Sequence, residues 1–106
     1  MEADVAQRRR SQPLSQPNFG STFWNPPGHF AGQLIEQVGL KGHRVGNAMW
    51  SDVHANFLVN LGGATARDVL QLMKLARTRV KERFAVTLEA EVRLVGQFVA
   101  EDLQEA

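Results

Sequence analysis

The residues that could do chemistry are three histidines, a serine beside a glycine and a glutamate in a β-prone stretch. His29, His43 and His54 show neither the i, i+4 spacing nor the HExxH pattern of metal-binding helices. A metal site needs converging ligands, so we expect none. Ser21 follows Gly20 without the GxSxG elbow of a hydrolase nucleophile. Taken alone, Ser21 is interpreted as a structural serine of a turn or strand.

The glutamate is Glu91, which lies in residues 87–95. In this stretch apolar and mostly polar residues alternate, as is typical of a half-buried strand. The apolar set is Leu88, Ala90, Val92 and Leu94. Glu91 falls on the opposite face, so the pattern alone favours a solvated carboxylate.

Short elements must position these groups. Residues 19–24 are β-prone, and residues 25–28 form a turn rich in proline and glycine. Apolar residues at helical spacing predict a helix over residues 29–38, ended by Gly39 in a left-handed cap. The helical set is Phe30, Leu34, Ile35 and Val38.

Further along, residues 41–49 predict a turn and one short strand, and residues 50–53 a loop or strand edge. Residues 55–61 read as a strand, with both faces partly buried. Gly62 and Gly63 then turn the chain. We expect a mostly extended connector over residues 11–18, and either a short helix or a disordered basic end over residues 1–10.

The strongest local signal is a capping box, in which Thr65 and Asp68 stand three residues apart. An apolar stripe follows and predicts an amphipathic helix over residues 66–83. The stripe consists of Val69, Leu72, Met73, Ala76, Val80 and Phe84. This order of elements predicts an α+β two-layer sandwich, with a small mixed or antiparallel sheet and helices packed on one face.

The composition limits the class of protein. The chain has 106 residues, no cysteine and a net charge of +1. The length predicts one domain. The order of elements and the motifs described next place it over residues 19–96, between an N-terminal segment (1–18) and an acidic tail (97–106). The absence of cysteine excludes disulfides, thiolate zinc sites and a cysteine nucleophile. The charge gives no reason to expect a nucleic-acid or membrane partner, and the sequence carries no readable signal peptide. We therefore expect a cytoplasmic protein.

Three separated motifs carry a resemblance. Residues 16–42 read QPNFGSTFWNPPGHFAGQLIEQVGLKG, residues 54–57 read HANF with Asn60 following, and residues 80–96 read VKERFAVTLEAEVRLVG. In this order they closely resemble the C-terminal domain of bacterial UDP-N-acetylenolpyruvoylglucosamine reductase, in its short form. That family shows QPN-x-GS-x-F-K-NP, AG-x-LIE-x-AGLKG, HANF-x-x-N and VKE-x-FG-x-x-LE-x-EVR-x-x-G.

The resemblance implies a function. Enzymes of this family make UDP-N-acetylmuramate for peptidoglycan. In them NADPH reduces FAD, and the reduced flavin then reduces the enolpyruvyl group of the substrate. By their motif positions, Ser21 corresponds to the proton donor and Glu91 to the glutamate near the substrate carboxylate. Asn25, His54 and Asn56 correspond to substrate-binding positions. The family's arginine belongs to the flavin domain and has no counterpart here.

Departures from the family pattern leave alternatives open. Trp24 stands where the family usually has lysine, and Phe19 where it usually has a small residue, which predicts a narrowed site. Residues 47–52 also depart from the usual pattern. Nothing in these residues is expected to bind FAD, so the chain alone should be inactive. It is then either the reductase's substrate-binding domain, present as a fragment or truncated product with a separate FAD-binding domain as an expected partner, or a truncated non-enzymatic relative that binds a ligand or partner. A nucleic-acid binder using residues 8–10 is the least favoured alternative.

Overall fold

The computed structural model describes residues 18–91. The strands are β1 (Asn18–Ser21), β2 (Arg44–Val45), β3 (Ala48–Trp50) and β4 (Phe57–Asn60), and the helices are α1 (Ala31–Gln37) and α2 (Ala66–Phe84). The predictions for residues 1–17, for the end of the last strand and for the acidic tail lie outside the described residues.

The strands form one antiparallel sheet. The order is β1-β4-β3-β2, so β4 lies between the first strand and the hairpin of the second and third. Ser21 pairs with Phe57, and Trp50 pairs with Leu58. The α+β class is confirmed, and of the two predicted sheet types the antiparallel one is present.

The segment predicted to hold one short strand forms a hairpin of two. β2 and β3 pair through Val45 and Ala48, so the connection is only two residues long. Gly46 has φ of +56°, and glycine adopts this left-handed conformation without steric cost. Periodicity could not reveal strands of two and three residues. Trp50, predicted as loop or strand edge, ends β3 and is fully buried.

The long helix was predicted to within one residue. Its capping box is present: the Thr65 hydroxyl accepts from Asp68 N–H at 3.2 Å, and Asp68 accepts from Thr65 N–H at 3.1 Å. The apolar stripe is buried except for the half-buried Phe84. Leu70 is buried as well, and α2 packs against β2, β3 and α1.

The first helix is shorter than predicted. It begins at Ala31, and Phe30 is its N-cap with an extended backbone. Phe30 is 67% exposed, so its assignment to the apolar helix face was wrong. A proline-containing turn precedes it, and its backbone does not continue the helix backward. Gly39 has φ of +80°, as predicted for the residue that ends the helix.

The β-prone segment predicted over residues 19–24 pairs with two different parts of the chain. β1 ends at Ser21, and the next residues pair with a different part of the chain: Phe23 forms an antiparallel bridge with Ala90. This bridge is the described portion of the predicted last strand. Leu88 beside it is fully buried. The core also contains Trp50, Leu58 and Ile35, each fully buried. Within residues 18–91, no helix is both long enough and apolar enough to cross a membrane.

Candidate functional site

The segment that follows Ser21 is held on two sides. On one side Thr22 N–H donates to the Asn56 carbonyl at 2.8 Å. On the other side Glu91 N–H donates to the Thr22 carbonyl at 2.9 Å, and Trp24 N–H donates to the Glu89 carbonyl at 2.9 Å. The fold therefore brings three sequence-distant stretches, those of Ser21, Asn56 and Glu91, into one place.

Asn56 fixes this segment with its side chain as well. Its Oδ1 accepts from Phe23 N–H at 3.1 Å, and its Nδ2 donates to the Phe23 carbonyl at 2.9 Å. A side-chain amide offers one acceptor and two donors, so this pairing copies a strand neighbour. Asn56 thus acts here as a support for residues 22–24.

Asn25 lies at the start of the turn that leads to α1. Its Oδ1 accepts from Ala31 N–H at 2.9 Å. Because the N-cap Phe30 makes no side-chain cap hydrogen bond, Asn25 satisfies a helix-end amide that would otherwise be orphaned. The rest of its exposed side chain faces solvent.

His54 lies beside Phe57, the residue of β4 that pairs with Ser21. Its ring centroid is 5.4 Å from that of Phe57, which pairs directly with Ser21. Directly paired residues share a face of the sheet, so His54 borders the face that carries Ser21. Ser21 is half-buried, and its hydroxyl makes no hydrogen bond to any residue of the described range 18–91.

Glu91 lies opposite Thr22, the residue that follows Ser21, and its side chain is only 9% exposed. The interpretation as a solvated carboxylate was therefore wrong. Alternation along the strand could not reveal this, because the covering surface comes from distant parts of the chain. Glu89, two residues earlier, is exposed as the pattern predicted.

Sequence reasoning missed Thr22 in this segment, and it singled out Trp24 without predicting its exposure. Thr22 is fully buried, and its hydroxyl has no hydrogen-bond partner among residues 18–91. Trp24 is 48% exposed, although tryptophan usually buries most of its surface.

Phe19 is only 6% exposed and belongs to the core cluster. Its ring therefore fills the interior of the domain.

The comparisons with known proteins identify the family. The family model described as "UDP-N-acetylenolpyruvoylglucosamine reductase, C-terminal domain" matches residues 12–95. The chain belongs to this family. All the candidate site residues described above lie inside the matched range.

Individual relatives agree with this assignment. The reductase of Anaeromyxobacter sp. strain Fw109-5 is 74% identical over 98% of this chain, which is 33% of that protein. The Myxococcus xanthus reductase is 58% identical over 93% of this chain. The crystal structure of the Thermus caldophilus reductase matches 84% of this chain with a TM-score of 0.58 and 49% identity. The chain spans about a third of the length of these relatives.

The described residues bear on the cofactors as well. Side chains of the buried cluster fill the interior, so a flavin would have to contact residues 18–91 from their surface. Two open depressions of about 440 Å³ lie along α2, one beside residues 87–88 and the other beside Val38, and no predicted site residue lines them. No three His, Asp or Glu side chains converge on a possible metal position within the described range.

Proposed function

We propose that this chain is the substrate-binding, proton-donating domain of a UDP-N-acetylenolpyruvoylglucosamine reductase, an oxidoreductase of peptidoglycan synthesis. The observation that carries the proposal is the family match over residues 12–95, together with the meeting of the Ser21 and Glu91 stretches at Thr22. The proposed substrate is UDP-N-acetylenolpyruvoylglucosamine, and the product is UDP-N-acetylmuramate.

The reaction defines what the protein must supply. Reducing the enolpyruvyl double bond adds a hydride to one carbon and a proton to its neighbour, so a C–H bond forms at each carbon as the double bond is lost. In the complete enzyme we propose FAD, reduced by NADPH, as the source of the hydride. In this proposal, residues of this chain supply the proton and stabilise the negative charge that develops on the substrate.

Ser21 is the proposed proton donor. Its O–H bond breaks as the new C–H bond forms, and the resulting alkoxide then takes a proton from solvent. A serine hydroxyl is a weak acid, so this transfer needs a site that excludes water and stabilises the developing charge. Its half-buried position and its freedom from hydrogen bonds within residues 18–91 support the role.

The remaining site residues are assigned around Ser21. Glu91 is proposed to act at the carboxylate end of the enolpyruvyl group, and its burial supports a role inside a closed site. Asn25 and His54, both exposed, are proposed to contact the substrate. Asn56 is proposed to serve the substrate through the Phe23 backbone that it holds.

The test measures the two half-reactions separately, with this chain and a flavin domain supplied together. We expect Ser21→Ala to slow oxidation of the reduced flavin by substrate by about 100-fold or more, the contribution typical of a positioned acid. Flavin reduction by NADPH should not change. Glu91→Gln should behave in the same way, because it keeps the shape of the side chain and removes its charge.

The control is Thr78→Ala, which removes an exposed hydroxyl from α2 outside the site. It should leave both half-reactions unchanged. Equal loss of both steps in Ser21→Ala would contradict the proton-donor role, because it would indicate a folding defect. Full retention of flavin oxidation by substrate would also contradict it.

A further inference from the structure

Trp24 presents a partly exposed aromatic side chain, on a hydrogen-bonded backbone, at the edge of the site. The preceding Phe23 is 2% exposed, with its ring centroid 6.0 Å from that of Trp50 in the core. Trp24 is 48% exposed instead. Its backbone cannot shift freely, because its N–H donates to the Glu89 carbonyl at 2.9 Å and the next residue, Asn25, is bonded to Ala31.

The surroundings of Trp24 indicate what it can bind. An indole ring carries no charge and offers a flat apolar face. Its backbone neighbour across the bridge is Glu89, an exposed acidic residue. A diphosphate would meet repulsion from this carboxylate, whereas an uncharged planar group would not. The ring is therefore suited to a neutral aromatic ligand group, and a nucleobase is such a group.

The separation of Trp24 from Ser21 fits the two ends of one ligand. An extended chain advances about 3.3 Å per residue, so these residues lie at most on the order of 10 Å apart. The substrate of the proposed function is a nucleotide sugar, whose base and enolpyruvyl group are joined through a ribose, a diphosphate and a hexose, a flexible link long enough to cover this distance. With the enolpyruvyl group at Ser21, the base can reach Trp24.

We propose that Trp24 stacks on the uracil ring of the substrate and so contributes to nucleotide recognition. This inference rests on the proposed function, because that function supplies the nucleotide. A base stacked on an aromatic side chain contributes about 1–3 kcal/mol to binding. The interaction replaces any charge-based contact that the family's usual lysine makes from this position.

The experiment is a calorimetric titration of the chain with UDP and, separately, with inorganic diphosphate. Trp24→Ala should weaken UDP binding about 5- to 150-fold. Trp24→Phe should retain most of the affinity, since it keeps an aromatic face. Phe30→Ala is the matched control, because Phe30 is also an exposed aromatic residue but caps α1. It should bind UDP as the unchanged chain does.

The outcomes separate this inference from the proposed function. If UDP binds and Trp24→Ala leaves its affinity unchanged, the stacking role is wrong while the substrate-binding function stands. Equal weakening of UDP and diphosphate binding would also overturn stacking, because diphosphate has no base. If the unchanged chain binds no UDP at millimolar concentration, both proposals fail. If Ser21→Ala leaves oxidation of the flavin by substrate unchanged while Trp24→Ala still weakens UDP binding, only the proton-donor role is wrong.

Discussion

Among single residues, Asn56 has the clearest structural role, and its loss should be costly. Asn56→Ala removes both hydrogen bonds to the Phe23 backbone. Leaving part-buried backbone groups unpaired costs about 1–3 kcal/mol. We expect the free energy of unfolding, measured with urea, to fall by this amount. Asn56→Asp should also destabilise, because a carboxylate cannot donate to the Phe23 carbonyl.

The control for Asn56 is Asn18→Ala. Among residues 18–91, the Asn18 side chain accepts one exposed, local hydrogen bond, from Gly20 N–H at 3.3 Å. Its loss should cost well under 1 kcal/mol, in the range of surface substitutions. If both variants lose the same stability, the bridging role assigned to Asn56 is wrong.

Among the elements, the β2–β3 hairpin and the start of α2 are joined through one carboxylate. Asp68 completes the capping box and also accepts from Asn47 N–H at 3.3 Å. A Cβ added at Gly46 would overlap this carboxylate, coming within 2.5 Å of its Cγ. Gly46 is therefore required both for its positive φ and for its missing side chain.

Gly46→Ala should consequently destabilise the chain more than a strained backbone alone would. The matched variant is Gly28→Ala, where φ is +76° and no atom lies within 4 Å of the added Cβ. Left-handed backbone costs alanine about 1–2 kcal/mol at both positions. We expect a larger loss at Gly46 in thermal or urea unfolding. Equal losses would mean that Asp68 moves aside freely.

The sequence predicted the elements whose signals are local. The long helix has a capping box and an apolar stripe within its own residues, and Gly39 ends α1 as expected. The support around Ser21 could not be predicted in this way. The Asn56 amide, the burial of Glu91 and the exposure of Trp24 depend on segments far apart in sequence. The motif resemblance named the candidate site residues but not their contacts.

For the molecule as a whole, a single core should give a single unfolding transition. The core cluster includes residues of both helices, of the sheet and of the 87–91 stretch. Trp24→Phe leaves Trp50, which is fully buried, as the sole tryptophan. Its fluorescence should shift to the red at the same urea concentration at which far-ultraviolet circular dichroism is lost. Two separated midpoints would contradict one cooperative core.

The pairing of Thr22 with Glu91 also has a kinetic consequence. It joins residues near the two ends of the described chain, whereas the β2–β3 hairpin and α2 close over short stretches. Long loops cost more entropy to close, and distant contacts slow folding. We expect the hairpin and helix to form early and the segment beyond Ser21 to be fixed late. Each folding molecule would then gain its proposed ligand-binding surface only in the last step.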